Sequence, residues 1–95
     1  MRPYELMYLV QSSADEERLG AIGERLQQAI GTLGGKIDKP PQTTRRRLAY
    51  EIAHHRDGMY GVIEYSLPPE QAREFERTIK LTEDILRHLV TRRDE

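Results

Sequence analysis

The chain has 95 residues, of which 37% are apolar and 33% charged, with no cysteine and a net charge of −1. This length predicts one domain spanning residues 1–95, and the lack of cysteine excludes disulfides and thiolate metal sites. The charge excludes a uniformly basic nucleic-acid-binding surface, no apolar run approaches the ~20 residues of a membrane span, and the N-terminus lacks a signal-peptide core. We therefore expect a soluble cytoplasmic protein.

The first predicted elements are a strand and a long helix. The strand is Tyr4–Val10, "YELMYLV", whose apolar and aromatic content is typical of a buried central strand. Ser13 is the predicted helix N-cap, and Glu16 completes a capping box. Gly34-Gly35 is expected to end the helix, because glycine tolerates the left-handed C-terminal conformation. Apolar residues at spacings of three and four form its buried stripe, namely Leu19, Ile22, Leu26, Ala29, Ile30 and Leu33.

The middle of the chain predicts a hairpin. Its first strand starts at residues 36–39, "KIDK", is interrupted by Pro40-Pro41, and resumes at residues 47–52, "RLAYEI". The prolines indicate an edge strand or an exposed hairpin arm. Asp57-Gly58 predicts the turn, and residues 59–67, "MYGVIEYSL", form the returning strand. The residues of that strand expected to face the helices are Gly61, Ile63, Tyr65 and Leu67.

The last third of the chain predicts a second helix and a closing strand. The helix covers residues 68–81, "PPEQAREFERTIKL", with Ala72, Phe75 and Ile79 on its buried side, and the strand covers Leu86–Thr91. The order is β-α-β-β-α-β, an α+β fold of the ferredoxin-like split βαβ type, with two helices on one face of a four-stranded antiparallel sheet. Function is then expected on the open sheet face, on an edge or in loops.

The charges are segregated by element. The helical segments 12–34 and 68–84 together carry −4, so the strands and loops carry +3. Three arginines, Arg45-Arg46-Arg47, stand at the start of a strand, where alternation points Arg46 opposite to its neighbours. They fit RNA contact, since guanidinium groups fork onto phosphate oxygens, and they equally fit a charged edge that blocks strand pairing between molecules.

Four stretches resemble the bacterial small-subunit ribosomal protein S6 family. They are "MRPYELMYLV", "RRRLAYEI", "DGMYGVIEYSLP" and "LTEDILRHLVTR", in the family's order over nearly the whole chain. The resemblance implies a split βαβ fold without enzymatic activity. It also implies a structural protein of the ribosome in the cytoplasm. Such a protein binds ribosomal RNA of the small subunit's central domain as a heterodimer with the small basic ribosomal protein S18.

On this interpretation, the cations of the strands and loops become candidate RNA contacts. Tyr4 is also a candidate, by stacking or hydrogen bonding, although packing of its ring in the core is the alternative. Arg93 is interpreted as solvated and His88 as a structural polar residue. The candidate RNA-binding residues are Arg2, Tyr4, Arg45, Arg46, Arg47, Arg56, Arg87 and Arg92.

Apolar and aromatic residues left on the open face or an edge are candidate contacts for the partner protein. These residues are Met7, Leu9, Met59 and Tyr60. His54-His55 lacks the further ligands of a metal site, and neither a glycine-rich phosphate loop nor a nucleophile motif is present. We therefore expect no metal, cofactor or enzymatic activity. The alternative function is a homodimeric small-molecule-binding regulatory domain or enzyme of the same fold.

Overall fold

The computed structural model describes residues 1–11, 13–52 and 55–94, and at residues 46–52 and 55–56 it describes the backbone alone. The described strands form one antiparallel sheet in the order β2-β3-β1-β4. This arrangement confirms the predicted split βαβ fold, with β1 and β3 central and β2 and β4 at the edges. The elements are β1 (Arg2–Gln11), α1 (Glu16–Thr32), β2 (Lys36–Ile52), β3 (His55–Leu67), a 3-10 turn (Pro69–Gln71), α2 (Ala72–Lys80) and β4 (Ile85–Arg92).

The core lies between the two helices and one face of the sheet. Alternation along β1 and β3 turns every second side chain toward the helices, and the register pairs Leu6 with Ile63 and Tyr4 with Tyr65 on that face. The Tyr65 ring stacks on Tyr4 at 5.5 Å and meets Phe75 edge-on at 5.0 Å. The predicted helix-facing set of β3 is confirmed. The helices contribute Ile22, Leu26, Ile30, Phe75 and Ile79 to the same core.

The start of α1 differs from the prediction. The N-cap is Asp15, whose carboxylate accepts a hydrogen bond of 2.8 Å from the backbone N–H of Arg18. The predicted cap at Ser13 is therefore wrong, because Asp15 supplies the acceptor two residues later and leaves Glu16 and Glu17 in the first turn. The predicted end is confirmed, since Gly34 has a φ of 84°.

The hairpin is longer than predicted. β2 and β3 pair past Asp57-Gly58, with Arg46 opposite Gly58 and Ile52 opposite His55. The predicted turn at Asp57-Gly58 is therefore wrong, and the two strands connect through residues 53–54, which lie outside the described chain. Gly58 has a packing role instead, because a Cβ at this position would collide with the side chain of Leu9.

The diproline segment lies on an edge strand, as predicted. β2 passes through Pro40 and Pro41 as one strand, and the pairing register shifts once before the prolines, between Ile37 and Lys39, and once across them, between Lys39 and Gln42. An edge strand tolerates these shifts because only one of its sides must pair.

Candidate nucleic-acid interface and partner surface

The open face of the sheet carries an apolar row across its middle. Val62, Met7 and Leu89 are register partners on three adjacent strands. Met7 is 38% exposed and Leu89 is 59% exposed, although both lie on regular strands rather than in loops. We call these three residues the apolar row. No described helix covers it, and an apolar surface of this kind is typical of a contact site for another molecule.

The next row of the open face holds Tyr60, Leu9 and Arg87, which also face one another in the register. Tyr60 is half-buried and Arg87 exposed. Leu9 is only 1% exposed because its side chain fills the space above Gly58. Of the candidate partner contacts, the structure therefore brings Met7 and Tyr60 together at the surface and places Leu9 beneath them.

Met59 lies apart from the other candidate partner contacts. It pairs with Val10, a core residue, and so belongs to the helix-facing side of the sheet. Arg45 pairs with Met59 and lies on the same side of the edge strand β2, where it is exposed. Residues in register on neighbouring strands share a face, so neither Met59 nor Arg45 lies on the open face.

The candidate RNA-binding cations fall at two ends of the sheet. Arg45 and Arg87 lie at the end that carries the β2–β3 hairpin, but on opposite edge strands, roughly 14 Å apart at the usual strand spacing. Arg46 and Arg47 follow Arg45 along β2, opposite Gly58 and Asp57. The side chains of Arg46, Arg47 and Arg56 lie outside the described part of the structure.

Arg2 and Arg92 lie at the other end. Arg92 is half-buried, and its guanidinium pairs with Asp94 at 3.2 Å. This hydrogen bond, aided by the positive charge of Arg92, lowers the pKa of the Asp94 carboxyl. Tyr4 occupies a core position, 6% exposed, with its ring packed on Tyr65. Arg2 is exposed at the start of β1.

Acidic residues also occupy the open face, so the strand cations do not form one uniform patch. Glu5 and Glu64 pair in the register of β1 and β3, and Asp38 lies nearby on β2. Glu64 is 3.9 Å from Lys39 and 3.0 Å from Arg93. We call Glu5, Glu64 and Asp38 the acidic row; it lies at the Arg2–Arg92 end of the sheet, beyond the apolar row. Carboxylates therefore lie among the cations at this end of the sheet, and the segregation of charge by element that the sequence predicts does not hold there.

Arg93 anchors this acidic row, although the sequence indicated a solvated residue. Its Nε donates to the carbonyl of Tyr4 at 3.0 Å, and Nη2 donates to the carbonyl of Tyr65 at 3.0 Å. Nη1 donates to Glu64 at 3.0 Å, and Nη2 also contacts the carboxylate of Asp38. Arg93 is exposed, but these contacts show that it is not merely solvated, as the sequence indicated.

The Arg93 contacts span the sheet. They join the residue after β4 to β1, β3 and β2, and Ser66 adds a hydrogen bond of 2.6 Å to Asp38. The Ser66 hydrogen bond, followed by the contacts with Arg93, lowers the pKa of the Asp38 carboxyl. Asp38 and Arg93 are 55 residues apart, and no local pattern in the sequence marks the pair.

Within residues 1–11, 13–52 and 55–94, no three His, Asp or Glu side chains group closely enough to hold a metal ion. None of the helices in these ranges is long and apolar enough to cross a membrane. His88 lies 3.3 Å from Glu76 and connects β4 to α2, which is a structural position. His54 and the side chain of His55 lie outside the described residues.

Known proteins are similar to this chain over nearly its whole length. The sequence model of a family described as Ribosomal protein S6 matches residues 3–92. Small ribosomal subunit protein bS6 of Moorella thermoacetica is 34% identical over 95 residues, covering 100% of this chain and 97% of that protein. The bS6 protein of Desulforamulus reducens is 33% identical, with 100% of each chain covered.

The crystal structure of 30S ribosomal protein S6 from Thermotoga maritima is also similar. It superposes with a TM-score of 0.89 at 32% sequence identity, covering 98% of this chain and 88% of that one. The similarity therefore extends over both helices and all four strands rather than one motif.

Proposed function

The chain belongs to the ribosomal protein S6 family, and on that premise we propose that it binds ribosomal RNA of the small subunit's central domain together with ribosomal protein S18. As a member of this family it is a structural protein of the small ribosomal subunit, located in the cytoplasm, and it is not an enzyme. The alternative of a homodimeric small-molecule-binding domain or enzyme is not adopted for this reason.

The observation that carries the RNA proposal is the arginine run on the edge strand. Arg45 is exposed at the hairpin end of β2, and Arg46 and Arg47 continue the same strand. Arg87 is exposed at the same end of the sheet. Guanidinium groups suit phosphate binding because they keep their charge and present parallel N–H donors. Phosphate contact accounts for much of protein–RNA affinity and weakens as salt rises.

The apolar row supports the partner proposal. Met7 and Leu89 of this row are exposed, and the half-buried Tyr60 of the adjacent row extends the apolar surface on the open face of the sheet. The neighbouring Glu5 gives this face an acidic group, which complements a basic protein such as S18 and favours its correct orientation. Leu9 supports the surface from below, while Met59 lies on the helix side of the sheet.

Charge reversal of the arginine run tests the RNA proposal. We expect Arg46→Glu with Arg47→Glu to weaken binding of a central-domain RNA fragment, in the presence of S18, by at least about tenfold at 0.1 M salt. The matched control is Arg25→Glu, which reverses a charge on the exposed side of α1. Filter binding at two salt concentrations measures both variants. Equal RNA affinity of the two variants would contradict the role of the run.

Substitution of two exposed leucines, one on the open face and one away from it, tests the partner proposal. Leu89 and Leu81 are similarly exposed, at 59% and 61%, but Leu81 lies at the end of α2, away from the open face. We expect Leu89→Asp to raise the Kd for purified S18 by about tenfold or more and Leu81→Asp to change it less than about twofold. Calorimetry without RNA separates this outcome from RNA binding. Similar losses in both variants would remove the open face from the proposal.

A further inference from the structure

A groove of about 480 Å³ lies on the helix-facing side, between α1 and the edge strand β2. One wall is formed by Leu19, Gly20 and Gly23 of α1, and the other by Pro40 and Pro41 of β2. Gly23 fixes the approach of the two elements, because a Cβ there would stand 3.3 Å from Cγ of Pro41. These parts of the walls are apolar, and the polar residues Gln27 and Thr43 also line the groove.

A buried hydroxyl lies at the base of this groove. Tyr8 pairs with Gly61, which in turn pairs with Thr43 of β2. A Cβ on Gly61 would stand 2.5 Å from Oη of Tyr8, so the ring lies across Gly61 toward the groove. Tyr8 is 1% exposed, and its Oη has no hydrogen-bond partner among the described residues. A buried polar atom of this kind costs free energy unless a bound group satisfies it.

The charge of the residues that line the groove decides whether an anionic or a cationic group can bind there. Among the described residues that line it, Glu16 is the one charged side chain, and it is exposed at the start of α1. Neither lysine nor arginine lines these walls in the described chain. A phosphate or another anion would therefore meet a carboxylate, whereas a cationic donor would find acceptors that include the Glu16 carboxylate and Tyr8 Oη.

We propose that the groove binds an arginine side chain presented by a basic protein segment. The aliphatic stem packs along Leu19 and the proline rings, as long cationic side chains do on apolar surfaces. The planar guanidinium donates to Tyr8 Oη and to the Glu16 carboxylate, because its several N–H groups serve two acceptors at once. This site lies on the side of the sheet opposite the apolar row, and it requires neither RNA nor S18.

The proposal is tested on the whole chain by NMR titration with N-acetyl-arginine amide. We expect saturable shifts of the backbone amides of Gly20, Gly23 and Thr43, and none with the neutral isostere N-acetyl-citrulline amide. Glu16→Gln should raise the Kd by at least about threefold. Glu17→Gln, which removes the neighbouring exposed charge that does not line the groove, should leave the Kd unchanged.

Tyr8→Phe provides the second variant. It should also raise the Kd at least about threefold, while its melting temperature stays equal to or above that of the parent chain, because the substitution removes an unsatisfied hydroxyl. Equal shifts with the arginine and citrulline probes, or equal Kd values for Glu16→Gln and Glu17→Gln, would overturn the proposal. Shifts of the same amides by inorganic phosphate but not by the arginine probe would also overturn it, in favour of an anion site.

Discussion

Gly61 provides the space in which the aromatic ring of Tyr8 lies. The two residues are register partners on the central strands, and an added Cβ would overlap the phenol ring. The backbone of a central strand has little freedom to shift, because both of its sides are hydrogen-bonded. A glycine in a strand interior is otherwise unfavourable, so its presence here is explained by packing.

We expect Gly61→Ala to lower the free energy of unfolding by about 2–4 kcal/mol, because either the Tyr8 ring or the strand must move. Gly31→Ala is the matched control, since Gly31 lies in α1 with open space around the added Cβ. That substitution should raise stability by up to about 1 kcal/mol. Urea denaturation followed by circular dichroism measures both variants. A loss below about 0.5 kcal/mol in Gly61→Ala would show that the ring moves away at little cost.

At the scale of elements, the hydrophobic patterns of the sequence predict the strands and helices better than they predict the connections between them. Alternation along β3 correctly assigned its helix-facing side, since burial on one face alone fixes that period. The predicted turn at Asp57-Gly58 is wrong because a glycine at this position suits both a turn and the close packing of a neighbouring side chain. Only the position of β1, which brings Leu9 against Gly58, decides between the two. The Arg93 contacts were missed for a similar reason, since they depend on strand order.

The start of α1 gives a prediction at the same scale. Asp15→Ala should lower the free energy of unfolding by about 1 kcal/mol, because the backbone N–H of Arg18 loses its acceptor. Ser13→Ala, at the position that the sequence pattern favoured, should change it by less than about 0.3 kcal/mol. Thermal and urea unfolding of both variants measure the difference. A larger loss in Ser13→Ala than in Asp15→Ala would restore the cap predicted from sequence.

At the scale of the molecule, Arg93 connects both edges of the sheet. The chain leaves β4 on one edge, and the guanidinium reaches Asp38 on β2, the other edge, across the carbonyls of Tyr4 and Tyr65. Such contacts restrain strands that are far apart in sequence. They also occupy Asp38 and Glu64, so these two acids are paired within the protein.

We expect Arg93→Met to lower the free energy of unfolding by about 2 kcal/mol, because two carboxylates and two carbonyls lose a charged donor. The control is Arg77→Met, which removes an exposed ion pair with Glu74 on α2 and should cost less than about 0.5 kcal/mol. Guanidinium chloride is unsuitable because its ions screen the pair, so urea unfolding is the measurement. Equal losses would mean that the Arg93 contacts add no more than a surface pair.

The same cluster predicts how stability responds to acid. The pKa of Asp38 in the folded protein lies below its ordinary value of 3.8, first through the Ser66 hydrogen bond and then through Arg93. A lowered folded-state pKa stabilises the fold above the unfolded value and loses that effect as pH falls through the folded value. The stability difference between the parent chain and Asp38→Asn should therefore be constant from about pH 7 to pH 5 and narrow below about pH 4.

The Arg93→Met background separates the two causes of this pH dependence. In that background the Ser66 hydrogen bond to Asp38 remains while the guanidinium is absent. The stability difference between Arg93→Met and the double variant with Asp38→Asn should therefore narrow less as the pH falls. Urea unfolding at a series of pH values measures all four chains. A stability difference that widens as the pH falls would mean that the folded-state pKa of Asp38 is raised. Narrowing of equal size in both backgrounds would mean that Arg93 does not contribute to lowering this pKa.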